Sequence, residues 1–541
     1  MLDFQNPHLY INIVLSLLNA VMLCYVAYKF FQTIQLGGYR IRGYFNWLNT
    51  TKGNYLLRLF MLSFLSILCM LVTNTVFISY TNNNYFAYLG LIFYVMFCVV
   101  FIRFVYNQPD KVPLKYTHRM NRYIVAFYIL SALLTFWANV LFFNLTNIFK
   151  FSFICLTPLC VPILVIVVHF LTMPLESLIK LSYIKRSKQK LKKQPNLKVI
   201  AITGSYGKTS TKFILASMLS QKYSVLATPN SFNTPMGITK TINNFLMPEH
   251  EIMVAEFGAN AIFDIKALCN IVKPDISIIT NIGNQHLATF GNFENLKRTK
   301  LEIFEFMKQG GTAVFNMDDE NIKSYAQNFN GNKIIVSNNE NCDVKLSKVK
   351  TSKDGSEFTL SYNGESQQIK TKLLGEHNIQ NIFLSACVAL NLGITLTQIK
   401  NAVEILKPTK HRLELIKGIN GVTVLDDSFN ANIEGFKQAL NVLKKFDGNK
   451  VLLTPGIIEL GSEQAQANYN VGVISAEVCD KVIIVNKVNR AEIEHGLIDA
   501  GFNPENIYFY NTLLEAQLDF PKLLSIGDVL LIENDLPDNY V

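Results

Sequence analysis

The sequence predicts a multi-domain protein, with an N-terminal α-helical membrane domain of five spans followed by two α/β domains. Three observations carry that prediction. Five uncharged apolar runs lie before Pro174, each near or above the about 20 residues that a helix needs to cross a bilayer. From Lys198 onward apolar runs alternate with helical patterns, which is the signature of a largely parallel sheet covered by helices. At Val199 to Ser210, VIAITGSYGKTS, a short apolar run passes straight into a glycine-bracketed turn and a Lys-Thr-Ser, the way a buried strand hands over to a phosphate loop and a helix.

The apolar runs are roughly Tyr10 to Tyr28, Leu59 to Tyr80, Tyr85 to Ile102, Tyr123 to Phe149 and Phe151 to Met173. Helices of a soluble bundle carry a polar stripe, and these carry almost none. Basic residues then set the orientation. Lys29, Arg40, Arg42, Lys52 and Arg58 surround the first connection, and Arg103, Lys111, Lys115, Arg119 and Arg122 the third, whereas Thr81 to Asn84 and the turn near Thr146 to Lys150 are almost uncharged. The positive-inside rule therefore expects the N-terminus outside and everything after the fifth span in the cytoplasm. The opening MLDFQNPHLY has neither a basic n-region nor a small-residue cleavage site, so no removable signal peptide is expected.

The net charge of +10 is concentrated after the last span, in KLSYIKRSKQKLKKQPNLK, Lys180 to Lys198. A basic amphipathic segment next to a membrane is expected to meet anionic lipid headgroups rather than nucleic acid. Nine cysteines occur with no C-x-x-C, which excludes a zinc ribbon and fits a reducing compartment. The expected organisation is 1–173 membrane domain, 174–198 basic juxtamembrane linker, 199–408 central domain and 409–541 C-terminal domain.

In the central domain, Gly204 and Gly207 let backbone N–H groups turn inward around phosphate oxygens, with Ser205 between them. Lys208 supplies charge for the outer phosphates, and the hydroxyls of Thr209 and Ser210 follow, Thr209 placed to hold Mg²⁺. A helix starting near Thr209 adds its positive end. Thr228 to Thr239, TPNSFNTPMGIT, reads as a loop of turn residues. Glu256 ends the strand Glu251 to Phe257, where a carboxylate faces the ligand crevice of an open α/β sheet. His286 and Lys300 follow the strand Ile276 to Thr280. About 330–373 reads as an inserted β element, Gly375 to Ile394 as a helix, and a new α/β unit begins near Pro408, with strands at Val422 to Leu425, Val451 to Leu453, Lys481 to Val485 and Val529 to Ile532.

From Val199 to about Glu533 these motifs resemble the Mur ligases, ATP-dependent amide-forming ligases of peptidoglycan synthesis, and most closely the MurF branch. GSYGKTS is similar to the family's short phosphate loop, EFGAN to the segment with its Mg²⁺-binding glutamate, here Glu256, and NQHLATFG to that with its metal-associated histidine, His286. KRTKLEIF places Lys300 where the family has a lysine that is carbamylated and helps hold a second Mg²⁺. GEHNIQN resembles the family's adenine-side motif, with Asn378 and Asn381; Arg412 in KHRLE matches the arginine that reaches the nucleotide phosphates; and DDSFNAN, with Asp427 and Asn430, matches a MurF-branch motif with Phe429 where tyrosine is usual. The resemblance implies an α/β P-loop central domain, a Rossmann-like C-terminal domain, ATP and Mg²⁺, and transfer of the γ-phosphate to a carboxylate, whose acyl phosphate an amine then attacks. It also marks departures. Five spans stand where the family has a soluble substrate-gripping domain, and NSFNTPMG and TPGIIELG differ from the usual loops, leaving both substrates open and a lipid-linked envelope precursor as one candidate. A poly-amino-acid synthase remains an alternative, as do, in other classes, an ATP-driven transporter and a non-catalytic ATP-binding scaffold. Against transport, His169 is nearly alone as an ionisable residue in the spans. Against a scaffold, Lys208, Glu256, His286, Lys300 and Arg412 all occur together.

Overall fold

A computed structural model of the chain describes residues 7–50, 54–81, 87–107, 112–141, 147–285, 287–338, 342–418, 421–429 and 431–535. It divides into two compact units, the first up to Lys180 and the second from Leu181 onward.

The first unit is helical: α1 Pro7–Val26, α2 Tyr28–Leu36, α3 Ile41–Thr50, α4 Asn54–Thr81, α5 Ala87–Tyr106, α6 His118–Leu141 and α7 Asn147–Lys192. Of these, α1, α4, α5, α6 and α7 are long and apolar enough to cross a membrane. The fourth apolar run, expected to reach Phe149, is helical to Leu141; 142–146 lie outside the described residues, and Asn147 onward belongs to α7. Helices α2 and α3, which the hydropathy pattern does not predict, fold the first connection into an aromatic cluster with Phe30, Phe31 and Tyr44 buried. Gln35 Nε2 donates to the Lys115 carbonyl (2.7 Å) and Gln35 Oε1 accepts from the Lys115 N–H (2.9 Å). The first and third connections are thus hydrogen-bonded to each other. Inside the bundle, Asn19 Nδ2 donates to Thr135 Oγ1 (3.0 Å) and Thr157 Oγ1 (3.1 Å), and Tyr94 OH donates to Asn19 Oδ1 (2.7 Å). This network joins four helices by the interhelical polar contacts that fix packing where no hydrophobic force separates helix from lipid. Pro158 cannot serve the Ile154 carbonyl, and the Thr157 hydroxyl takes it instead (2.6 Å).

The basic segment expected as a separate linker is helical through Lys192, in the same helix, α7, as the fifth apolar run. In the second unit part of its apolar surface is covered. Ile184 and Leu191 join the central-domain core, Lys190 Nζ donates to the Asn243 carbonyl (3.1 Å), and Gln194 Nε2 donates to the Met247 carbonyl (3.1 Å). Lys185, Arg186, Lys188, Lys192 and Lys193 are exposed, as are Leu181 and Tyr183 at the start of the segment.

The second unit holds three sheets. The first contains β1 Lys198–Thr203, β2 Val225–Ala227, β3 Ile252–Glu256, β4 Ile276–Ile279, β5 Thr312–Asn316 and β6 Asn332–Val336 in the order β2-β3-β1-β4-β5-β6, all parallel. The helix α8 Lys208–Leu219 follows β1, and α9 Pro235–Phe245 precedes β3. The start of α9 corrects the reading of Thr228 to Thr239 as loop throughout: Thr234 caps it by accepting from the Gly237 N–H (3.2 Å), and Pro235 occupies the first turn, where its missing N–H costs nothing. The inserted element is the antiparallel sheet β7 Val344–Ser352, β8 Gly355–Tyr362 and β9 Glu365–Thr371, while β6, expected within it, belongs to the main sheet. The last sheet contains β10 Glu414–Lys417, β11 Thr423–Asp427, β12 Lys450–Thr454, β13 Lys481–Val485, β14 Ile507–Tyr510 and β15 Val529–Glu533, ordered β10-β11-β15-β12-β13-β14, with only β10 antiparallel. In the first sheet the chain leaves β1 toward β3 on one side and toward β4 on the other, the switch point at which such sheets bind ligands.

Candidate active site

The loop after β1 sits at that switch point and is held there by the neighbouring strand. The Ser205 N–H donates to the Asn281 carbonyl (2.9 Å), Thr280 Oγ1 donates to the Tyr206 carbonyl (2.6 Å), and the Tyr206 N–H donates to Asn281 Oδ1 (2.9 Å). Gly204 has φ 150° and a Cβ there would meet Thr280 Oγ1 at 2.0 Å, while Gly207 has φ 76°. Only glycine suits either position. Lys208 Nζ folds back to donate to the carbonyls of Gly204 (2.8 Å) and Ser205 (2.9 Å). Burial, with Arg412 adding and Glu256 opposing, pushes its ammonium down to about 8. Thr209 and Ser210 follow in the first turn of α8, both half-buried.

Glu256 closes β3 and is buried. Its Oε2 accepts from Lys212 Nζ (3.2 Å) and its Oε1 from Asn233 Nδ2 (3.0 Å), and Lys212 also donates to the Asn230 carbonyl. Burial lowers the Lys212 ammonium, with Glu256 opposing. Lys212 and Asn233 were not singled out in the sequence, although Lys212 stands one turn beyond Lys208 on the same helix face. Lys300, on the helix Phe293–Glu305, is buried. Burial, reinforced by Lys208 and opposed by Asp264 and Glu256, holds it well below the usual lysine range. His286 and Asn430 lie outside the described residues.

Donor chemistry decides which cation these residues suit. Among the described residues no group of three or more His, Cys, Asp and Glu converges as a self-sufficient metal cage. One carboxylate with unused lone pairs, Glu256, and one hydroxyl, Thr209, instead suit Mg²⁺, which takes one or two carboxylates and completes its shell with water and substrate phosphates.

The C-terminal domain supplies the opposite wall. A cleft of about 530 Å³ is lined from the central domain by Gly207, Ser210, Asn378 and Asn381, and from the C-terminal domain by Arg412, Asp427 and Glu533. Asn381 Oδ1 accepts from Thr211 Oγ1 (3.2 Å), and Asn378 Nδ2 donates to the Leu374 carbonyl (2.9 Å), so both amides also fasten the helix Glu376–Asn391 in place. The Arg412 guanidinium lies over the Phe429 ring, 4.4 Å from its centroid. Along β11 the two aspartates divide their work. Asp426 is tied to His411 Nδ1 (2.7 Å) and Ser428 Oγ (2.6 Å), while Asp427 lines the cleft. Burial pushes Asp427 up to about 6 against the pull of Arg412, and it pushes the His377 ring, also on the cleft, down to about 4. Glu533, unremarked in the sequence, is the cross-strand register partner of Asp427. Burial, with Asp427 adding, holds it well above the usual carboxylate range.

Two family matches cover this geometry: the Mur ligase middle domain over residues 202–389 and the Mur ligase glutamate ligase domain over 411–533. The UDP-N-acetylmuramoyl-tripeptide–D-alanyl-D-alanine ligase of Escherichia coli is 31% identical over 304 residues, 56% of this chain and 67% of that protein. The ligase of the same name from Bacillus subtilis is 30% identical over 340 residues, 62% of this chain and 72% of that protein. This chain belongs to the Mur ligase family. Its fold agrees with a crystal structure of MurF from Acinetobacter baumannii (28% identity, TM-score 0.59, covering 66% of this chain and 77% of that one) and with the Thermotoga maritima MurF ligase in complex with ADP (26%, TM-score 0.58, 66% and 80%). The five long apolar helices of this Mur ligase precede both matched domains. As a family member the protein is an ATP-dependent ligase with central and C-terminal α/β domains.

Proposed function

We propose that this Mur ligase is anchored in the cell membrane and joins a carboxylate to an amine on a cell-envelope precursor through an acyl phosphate, with its N-terminus outside and its α/β domains at the cytoplasmic face. The observation that carries the reading is the cleft itself, where a phosphate loop on one domain faces Arg412 on the other. In this reading, moving the γ-phosphate between two anions demands neutralisation and alignment. Lys208 leaves its two carbonyl partners for the phosphates, and the backbone amides of Gly204 to Gly207 cradle them. Arg412 approaches from the C-terminal domain as that domain closes and excludes water from the acyl phosphate. Asn378, Asn381, Asp427 and Asn430 line the nucleoside side. Bound Mg²⁺ supplies Lewis-acid charge neutralisation, and Glu256, Thr209, His286 and a carbamylated Lys300 are the residues that would hold it. Burial supports the carbamate, because it favours the neutral amine over the ammonium, and the neutral amine is the form that adds CO₂. The exposed basic side of α7 suits anionic lipid headgroups.

The relatives' printed names give D-alanyl-D-alanine and a UDP-linked tripeptide as their substrates. The N-terminal helices replace roughly the remaining third of those proteins, so a lipid-linked carboxylate presented at the membrane is the substrate we favour. The test is release of ADP and phosphate by detergent-solubilised full-length protein with Mg²⁺, across envelope precursors and amines, beside Lys208→Ala. Turnover that requires one carboxylate and one amine together, with a condensed product by mass spectrometry, supports the reading. Turnover at one rate whatever is added overturns it.

A further inference from the structure

The wall of the cleft that the C-terminal domain provides contains a buried acidic pair, of which the steps above leave Glu533 without a task. Asp427 and Glu533 end adjacent parallel strands, β11 and β15, as register partners, and both line the cleft. Glu533 is 1% exposed, and its Oε2 has no hydrogen-bond partner. Leaving such an oxygen unpaired is expensive, and more so for a charged group. Two hydrogen bonds from Asn534 fix the backbone that presents it. Asn534 turns the chain with φ 69°, donating its N–H to the Asp427 carbonyl (3.3 Å) and its Nδ2 to the Gly456 carbonyl (2.7 Å). The one hydrogen bond that the Asp427 carboxylate accepts among the described residues comes from the Leu413 N–H (3.2 Å). Arg412, the nearby cation, forms no ion pair with either carboxylate and is turned over Phe429 instead.

We propose that Glu533, paired with Asp427, holds the ammonium group of the incoming amine substrate in this cleft. The inference rests on the ligase reading above. An ammonium offers three donors and no acceptor, the complement of carboxylates that accept only, and an α-amino group is largely protonated at neutral pH. The nucleotide's own phosphates are the wrong charge for this pair and belong at the opposite wall, with Gly204 to Lys208. Arg412 stands beside both, so an amine seated on Glu533 waits next to the phosphates that Arg412 draws in. Glu533 is thereby a specificity-determining residue: it selects an acceptor that brings a cation, and it rejects the same molecule once its amine is capped.

The experiment uses the full-length protein in detergent, loaded with Mg²⁺ and ADP. Its thermal midpoint is followed against D-alanyl-D-alanine, L-lysine, 1,3-diaminopropane and the capped control N-acetyl-D-alanyl-D-alanine. At least one free amine is expected to raise the midpoint saturably and the capped dipeptide not to. Glu533→Gln and Asp427→Asn are each expected to weaken that amine by about tenfold or more, the worth of a charge-assisted hydrogen bond, while Glu533→Gln still binds ADP. The site is overturned if no free amine shifts the midpoint, if the capped dipeptide shifts it equally, or if both variants bind the amine as wild type does. ADP binding by wild type against Lys208→Ala is read in the same series. Its absence in wild type overturns the ligase reading, whereas intact ADP binding with indifferent amines overturns the acidic site alone.

Discussion

Lys212→Met tests the most deeply buried ion pair of the second unit. The Lys212 and Glu256 side chains are 0% and 1% exposed, and their charged atoms lie 3.2 Å apart. Methionine keeps the volume and removes the cation, so the Glu256 carboxylate is left buried with Asn233 as its remaining side-chain donor. Breaking a buried pair from one side costs about 3–5 kcal/mol, because the surviving charge has neither water nor partner. For a domain of a few hundred residues that lowers Tm by roughly 6 °C or more. Replacing both partners, Lys212→Met with Glu256→Gln, removes the stranded charge and should recover much of the loss, so the double variant unfolds above the single one. Differential scanning fluorimetry of the purified protein with a probe on the second unit reads both values. A single variant within about 1 kcal/mol of wild type, or a double variant less stable than Lys212→Met, refutes the argument that the pair stands or falls together.

Gly204→Ala places a methyl on Thr280 Oγ1 in a backbone region that glycine alone favours; ADP affinity is expected to fall by about tenfold or more and stability by about 1–3 kcal/mol, measured by calorimetry and thermal unfolding. Lys208 is held at about 8 in the free protein, and bound phosphate favours its charged form, so ADP binding takes up a proton above that pH. Affinity should therefore decline with pH above about 8, by at most about tenfold per unit, and Lys208→Met should flatten the profile. For folding the sign is opposite: because the folded value lies below the unfolded one, charged Lys208 opposes folding below pH 8 and that penalty fades as pH rises toward the ordinary lysine value. Arg412→Ala is expected to slow phosphate release by about 10²–10³-fold, with a smaller effect on ADP binding. An N-terminal epitope tag should be reached by antibody on intact cells whose outer layers have been opened, and a C-terminal one only after permeabilisation.

The legible parts of this chain are those in which a local pattern and its physical cause coincide. The five long apolar helices could be read because about 20 residues without a polar stripe stand out in any sequence, and β1 with its loop because two glycines and a lysine follow an apolar run at phosphate-loop spacing. Helices α2 and α3 were missed because they are 9 and 10 residues long and close on aromatic partners from distant helices, which no local period reports. The start of α9 was hidden by composition, since Asn, Pro and Gly mark turns as readily as a capped helix; the decisive signal was Thr234 directly before Pro235. The edge strand β10 has exposed Leu415 and Ile416 and owes its form to β11 alone. Glu533 differs from all of these. The rule that singled out Glu256, a carboxylate at the carboxyl end of a parallel strand, applies equally to VLLIE, and no motif drew attention there. What the sequence lacked was the strand order. Only the placement of β15 beside β11, ahead of β12 in space though last in the chain, brings Glu533 against Asp427 and turns two ordinary strand ends into one acidic site.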